Sequence, residues 1–396
     1  MPAFNEDTRV KIPATIQFIR LDYDYQSLKT DDIDIDFNTK IFVNRFKPAL
    51  EIINDRKFTY DEIKTIITDI HNILKNNDLG KEFYNWLIDP KDKVKLIDFE
   101  DIAKNDFAVV DELPFSIVEG REEGSFRPDI NILINGMPLA FLEVKKPDND
   151  GGIQKEFDRM INRRLQNPDY RRFFNLIQFV SFSNNMEYEE DDDAEDVKAG
   201  SFYTTPNGSN TSFSFFREDD EQYYITYPYK EIDRDTIKYV MKDCGYNPKE
   251  ADTTEFAENL KTNTPCNRFV TSVFDKERFL YFLRYGIMFI DSQIPERHIM
   301  RYPQFFATRK IIERIDSGGK GGIIWHTQGS GKTAIAAFSN RVIRDYYSRK
   351  DISTRFFFVV DRLDLLTQAD IEFTKRGLKT IPYVELDVMP RYSLPA

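Results

Sequence analysis

The chain has 396 residues with 55 Lys+Arg against 67 Asp+Glu, a formal net charge of −12, three His and two Cys. Two cysteines, Cys244 and Cys266, exclude a disulfide framework and a cysteine-rich zinc site. His71, His298 and His326 are far apart, so a metal site here is built mainly from carboxylates and favours a hard ion such as Mg²⁺. At 41% hydrophobic and 14% aromatic, the chain has enough apolar content for packed cores, and its length predicts two to three domains at roughly 150 residues each.

The opening MPAFNEDTRVKIP lacks the apolar core of a signal peptide, and no apolar run reaches the roughly 18 residues that a membrane span needs. The expectation is a cytoplasmic protein without a membrane segment, and no internal repeat is visible. Residues 1–35 are polar and acidic, with DDIDIDF suggesting a short strand or an arm. From Phe42 to Leu74, and again over Phe83–Leu87, apolar residues recur at helical spacing. Phe107–Val118 reads as a strand.

Asp129–Ile134 alternates, with Ile130, Ile132 and Ile134 on one face, and Asn135-Gly136 is a strong hairpin turn. Leu139–Lys145 is the returning strand. After Asp150-Gly151-Gly152 a helix is expected, with Ile153, Phe157, Met160, Ile161 and Leu165 on one stripe. Leu176–Phe182 reads as a buried strand, the acidic run 187–196 as a solvated loop, and Gly200–Asn210 as more loop. Residues 268–290 read as helical, with a boundary at Asp291–Arg301. Beyond it come a helix (Gln304–Ile315), a Gly-rich link, a short strand (Ile323–Trp325), a helix from Thr333 and an apolar strand (Arg355–Val360). Strand–helix–strand with apolar strands predicts a parallel α/β sheet.

Two constellations carry chemistry. Strand period two puts Glu143 and Lys145 on one face, and the hairpin brings Asp129 beside them. Paired carboxylates can hold Mg²⁺, with the Val144 carbonyl as a further oxygen ligand, and a lysine can orient the attacking water of a phosphodiester hydrolysis. Lys146 and the following helix, with Arg159, Arg163 and Arg164, supply phosphate contacts; six Lys/Arg lie between Lys155 and Arg172 against three acids. Gln166 and Tyr170 have a QxxxY spacing, interrupted by Pro168. An ordinary reading of the carboxylates and lysine is a surface ion pair on an amphipathic hairpin, and of the arginines a charged helix surface.

The second constellation is Gly329-Ser330-Gly331-Lys332-Thr333 between an apolar strand and a helix, the context of a phosphate loop. Lys332 would meet the β/γ-phosphates of ATP and Thr333 would hold Mg²⁺. His326 stands where the first glycine of such loops falls. Gln304 can pair with the edge of adenine. Asp361 ends an apolar run but is followed by Arg362 where a catalytic acidic box has Glu, so VVDRLDLLTQ instead resembles a later helicase segment, a strand and loop that by that resemblance could touch DNA backbone.

Pro128-Asp129, thirteen residues, then Glu143-Val144-Lys145 resembles the PD-(D/E)xK nuclease signature. Together with RYPQ…IIWHTQGSGKT…FFFVVDR, it resembles the restriction (R, HsdR) subunit of type I restriction–modification enzymes. The resemblance implies a PD-(D/E)xK nuclease-like mixed sheet with flanking helices over 1–290, followed over 291–396 by the beginning of a RecA-like (superfamily 2) parallel α/β motor lobe. By that resemblance Asp129 and Glu143 are metal ligands, Lys145 is catalytic, Gln304 recognises adenine, and Lys332 and Thr333 serve ATP and Mg²⁺. It further implies cleavage of double-stranded DNA coupled to ATP-driven translocation, in complex with methyltransferase (M) and specificity (S) subunits. The second lobe of such motors is absent from this sequence, which therefore reads as an N-terminal fragment. The other readings are a superfamily 2 helicase with a non-cutting accessory domain, and a DNA-binding or assembly module whose phosphate loop is structural.

Overall fold

A computed structural model describes residues 5–115, 125–147, 153–188, 199–326 and 331–382. The described residues divide into two units, one of Met1–Ile287 with Glu296–Tyr302, the other of Met288–Pro295 with the chain from Pro303 onward.

The first unit is built on a mixed sheet that starts from the predicted hairpin. Asn135 (φ 54°) and Gly136 (φ 73°) both lie in the left-handed region, which a two-residue turn of this kind requires. Strands Ile130–Ile134 and Met137–Val144 run antiparallel from that turn. The turn is buried rather than solvated. The Asn135 amide donates to Leu96 O (2.9 Å) and Asn105 Oδ1 (3.0 Å), so its polar atoms are satisfied inside the protein.

In chain order, the elements of this unit are helix α1 (Ile12–Arg20), strand β1 (Asp24–Tyr25), and helices α2 (Val43–Ile53), α3 (Tyr60–Ile73) and α4 (Lys81–Ile88). Strand β2 (Phe107–Asp111), the hairpin strands β3 and β4, helices α5 (Gln154–Arg159) and α6 (Arg171–Leu176) and strand β5 (Phe179–Ser183) follow. Strands β6 (Ser201–Thr204) and β7 (Ser214–Phe215) complete the sheet, in the order β1-β2-β3-β4-β5-β6-β7. β4 and β5 pair in parallel, as the helical connection between them requires, and β2–β3–β4 and β5–β6–β7 are antiparallel. Helices α7 (Gln222–Thr226), α8 (Arg234–Asp243), α9 (Thr254–Asn259), α10 (Pro265–Phe274) and α11 (Lys276–Tyr285) close the unit.

β3 is buried along its whole length and β4 along all but Glu143, because the sheet is covered on both faces. One core gathers Phe126, Phe141, Phe157, Phe173 and Phe182 around α5 and α6. Another joins Ile12, Ile16 and Ile19 of α1 to Val240, Met241 and Phe256 of α8 and α9.

Several expectations change. Leu176 ends a helix, and β5 begins only at Phe179. The Ser/Thr-rich stretch after Gly200 contains β6, because Phe202 and Tyr203 are buried and pair with β5. The stripe from Ile153 is α5 followed by a π-helical turn, Met160–Leu165, so Ile161 is only half-buried. Ile287–Ile290 is a strand rather than helix. Asp150-Gly151-Gly152, residues 116–118 and the acidic residues 189–196 lie outside the described residues. Among the described residues, no helix is long and apolar enough to cross a membrane.

In the second unit, helices α12 (Tyr302–Asp316) and α13 (Lys332–Ser348) form where expected, helix α14 (Leu363–Lys375) stands where a strand and loop were expected after Asp361, and together they bury Phe305, Ile335, Phe338, Val342 and Phe373. The two apolar segments expected as parallel strands differ. Ile323–Trp325 and Arg355–Val360 are not in a sheet, and Ile323 and Trp325 are each 91% exposed. A parallel strand exists only through ladder bonds with neighbouring strands, and neither segment has one among the described residues.

A Cβ at Gly136 would lie 2.5 Å from Phe42 O and 2.9 Å from Phe46 N, with φ at 73°. Gly136→Ala is expected to destabilise the protein by at least about 2 kcal/mol, read as a lowered urea midpoint.

Candidate active site

The hairpin register carries the Asp129 side chain onto the far end of β4. Asp129 Oδ2 accepts a hydrogen bond from Val144 N (2.8 Å) and lies 3.8 Å from Lys145 Nζ. Lys145 N donates to Ser183 O (2.8 Å), so the lysine backbone is held by β5 just beyond the end of β4. Its ammonium also donates to Val144 O (2.7 Å). Phe141, Glu143 and Lys145 share one face, and Phe141 anchors that face in the aromatic core against Phe126 and Phe173. The predicted trio of Asp129, Glu143 and Lys145 is therefore brought together.

Burial raises the Glu143 carboxyl well above its ordinary range, and the neighbouring Asp129 carboxylate adds to this. Burial works against the Lys145 ammonium. Asp129, then Glu143, Glu6 and Glu156, outweigh it, so its pKa is raised and it stays protonated.

Two further carboxylates were not visible in the sequence pattern. Glu6 Oε1 lies 3.3 Å from Lys145 Nζ; burial raises the Glu6 pKa, Lys145 opposes this, and Asp129 adds to it. Glu156, on α5, acts electrostatically on both Glu143 and Lys145. Glu6 is 139 positions from Lys145 and sits in a polar lead with no periodicity, so only the fold reveals it. The alternation of the α5 charges gave no sign of Glu156.

The donor set suits a hard divalent ion. Two close, enclosed carboxyls cannot both ionise cheaply, and a divalent cation would relieve that repulsion. Asp129, Glu143 and the Val144 carbonyl would hold it. Among the described residues, no cluster of three or more His, Cys, Asp or Glu side chains is arranged to hold a metal, and the Val144 carbonyl accepts from the Lys145 ammonium.

The predicted phosphate contacts differ from one another. Lys146 and Arg163 are exposed. Arg159 pairs with Glu156 at 3.3 Å. Arg164 turns inward, its guanidinium 4.7 Å from the Phe126 ring centre and within 3.4 Å of Tyr170 Oη.

In the second unit, Gly331 has φ 78° and precedes Lys332 at the N-terminus of α13, where unpaired helix amides favour an anion. Lys332 is exposed and Thr333 half-buried. Gln304 is buried at 4% exposure, and its amide nitrogen lies 3.5 Å from Gly331 O. A Cβ at Gly331 would meet that amide at 2.7 Å, so the glycine permits the close approach. Gly329 and Ser330 lie outside the described residues.

An α/β domain bearing two carboxylates and a lysine at one end of a buried hairpin, followed by Gly331-Lys332-Thr333 at a helix N-terminus, is the class these features define. Residues 3–189 match the family described as type I restriction enzyme R protein N terminus, and residues 303–385 match the SWI2/SNF2 ATPase family. The chain is 26% identical over 398 residues to a putative type I restriction enzyme MjaIXP endonuclease subunit of Methanocaldococcus jannaschii, covering 91% of this chain and 33% of the relative. It is 27% identical over 354 residues to the type I restriction enzyme SauCOLORF180P endonuclease subunit of Staphylococcus aureus, covering 82% and 31%. The chain thus spans about a third of the length of these relatives.

The raised Glu143 pKa has a consequence for stability. The folded carboxyl holds its proton where the unfolded one has lost it, so the cation-free protein loses stability as pH rises from the unfolded carboxyl range, about pH 4, toward the folded value. Glu143→Gln does not titrate. Its urea midpoint is expected to exceed that of the parent at neutral pH, the gain vanishing below about pH 4. Adding Mg²⁺ is expected to raise the midpoint of the parent and not that of the variant.

Proposed function

We propose that the chain is the nuclease and nucleotide-binding portion of a type I restriction R subunit: a Mg²⁺-dependent endonuclease domain of the PD-(D/E)xK kind, then the first part of a RecA-like superfamily 2 motor lobe. The observation that carries this reading is the joining of Asp129, Glu143 and Lys145 at one end of a buried hairpin, in a chain similar to restriction endonuclease subunits over most of its length.

A bound divalent ion polarises the scissile phosphate and lowers the pKa of a coordinated water. The residues of the chain do the rest. Asp129 is fixed by the Val144 amide, so its carboxylate is held in place beside Glu143. Glu143, whose proton is favoured by burial and by Asp129, would hold the ion as a carboxylate together with Asp129. Lys145, kept cationic by its acidic neighbours, orients the attacking water and offsets charge developing on the phosphate. Lys146 and Arg163 meet the backbone of double-stranded DNA, a contact that fixes position without reading sequence.

In the motor portion, Lys332 and Thr333 serve the phosphates and Mg²⁺ of ATP, and Gln304 recognises adenine, a reading supported by the approach of its amide to Gly331 O. Methyltransferase and specificity subunits complete the complex, and the specificity subunit chooses the DNA target. The match of residues 303–385 to an ATPase family supports ATP use.

In the complete complex, Asp129→Ala and Lys145→Ala are each expected to lower DNA cleavage by about 100-fold or more while sparing ATP hydrolysis, measured in parallel on one plasmid substrate. Undiminished cutting by both variants would instead favour a helicase with a non-cutting N-terminal domain. Lys332→Ala is expected to abolish ATP hydrolysis and, with it, translocation-dependent cutting.

A further inference from the structure

Lys11 ends the π-helical turn Asp7–Lys11, and its side chain is only 3% exposed. A buried ammonium is costly unless it is paired. Lys11 Nζ lies 2.5 Å from Glu112 Oε1 and 3.7 Å from Asp7 Oδ1. The half-buried Asp111 carboxyl faces it as well, accepting from Thr15 Oγ1 (3.1 Å) and Cys244 Sγ (3.2 Å). Burial disfavours the Lys11 charge, but Asp111, then Asp7 and Glu112, outweigh it and keep the amine cationic.

Both ends of this ionic cluster lead to the candidate centre. Glu112 has φ 52°, a conformation that a glutamate adopts only when something holds it there. Its amide donates to Asp129 O at 3.1 Å. Asp7 follows Glu6, whose carboxylate meets Lys145.

We propose that Lys11 is a positioning residue for the centre: one buried cation that fixes the left-handed turn holding the Asp129 backbone, and the helical turn holding Glu6 against Lys145. The inference rests on the nuclease reading of Asp129, Glu143 and Lys145. Without Lys11, Asp7, Asp111 and Glu112 become adjacent uncompensated acids. Their repulsion releases the Glu112 turn, and Asp129 loses its backbone donor. The groups supporting a metal ligand tune its affinity, and losing one costs about 10- to 100-fold.

The test uses the full chain in its complete complex, with Lys11→Met, Lys11→Arg, Glu112→Gln, Asp129→Ala and the control Arg278→Met. The control breaks another largely buried ion pair of the same unit, Arg278 with Glu218 at 2.7 Å. Two quantities are read: Mn²⁺ affinity by electron paramagnetic resonance without DNA, and cleavage rate against Mg²⁺ concentration.

Lys11→Met is expected to weaken Mn²⁺ binding and raise the Mg²⁺ needed for half-maximal cutting by about 10- to 100-fold, with the rate at saturating Mg²⁺ largely recovered. Lys11→Arg restores much of the affinity, and Arg278→Met leaves it unchanged. Unaltered Mn²⁺ affinity in Lys11→Met, or an equal loss in Arg278→Met, overturns the proposal. If Lys11→Met does not fold, Glu112→Gln, which removes a single partner charge, carries the same expectation and the same refutation. Asp129→Ala separates the two readings. If it binds Mn²⁺ and cuts as the parent does, the nuclease reading itself falls. If it is inactive while Lys11→Met matches the parent, only the positioning role falls.

Discussion

The hydrogen bond from the Val144 amide to the Asp129 carboxylate is the contact on which the rest of the site depends. It spans the open end of a hairpin whose other end is locked by two left-handed residues, Asn135 and Gly136. A turn of fixed length and a buried face fix the register, and a slip of one residue would send Glu143 and Lys145 to the opposite face. The sheet then adds β5 in parallel, and the Ser183 carbonyl holds the lysine backbone where β4 ends. Geometry at the chemical end is thus set by hydrophobic burial along the length of the strands.

That burial creates an electrostatic problem, which the fold resolves by interleaving charges. Glu143 and Asp129 are too close and too enclosed to coexist comfortably as anions. Lys145 sits among four acids, and Lys11, in the neighbouring layer, among three. Each lysine is kept cationic by neighbours that would repel one another without it. The net charge of −12 is unevenly spread along the chain. Eight of those charges fall in the single run 187–196, and the surface beside the hairpin retains exposed bases at Lys146 and Arg163.

The hairpin was legible because its signals are local: an alternating strand, an Asn-Gly turn, and carboxylates and a lysine at period-two spacing. The helices α12 and α13 around the phosphate loop were legible for the same reason. Glu6 and Lys11 were not, since their importance comes from a helix that packs back onto residues more than a hundred positions away. β6 escaped because it lies in a stretch rich in Ser, Thr, Gly and Asn that resembles a loop, and only Phe202 and Tyr203 reveal the burial. The reverse error occurred at Ile323–Trp325 and Arg355–Val360. Their apolar sequence predicts buried strands, but a strand is defined by its neighbours, and composition cannot supply them. The line of arginines after the hairpin looked uniform in sequence. In the fold Arg163 faces solvent, Arg159 engages Glu156, and Arg164 lies against Phe126.

The central claim is that one hard-ion site lies between Asp129, Glu143 and the Val144 carbonyl. Iron(II) replacing Mg²⁺ there, in the presence of ascorbate, generates radicals that cut the polypeptide beside the bound metal. The account predicts cleavage of the chain close to residues 129 and 144, suppressed by excess Mg²⁺. Cuts confined to other segments, or none competed by Mg²⁺, would contradict it.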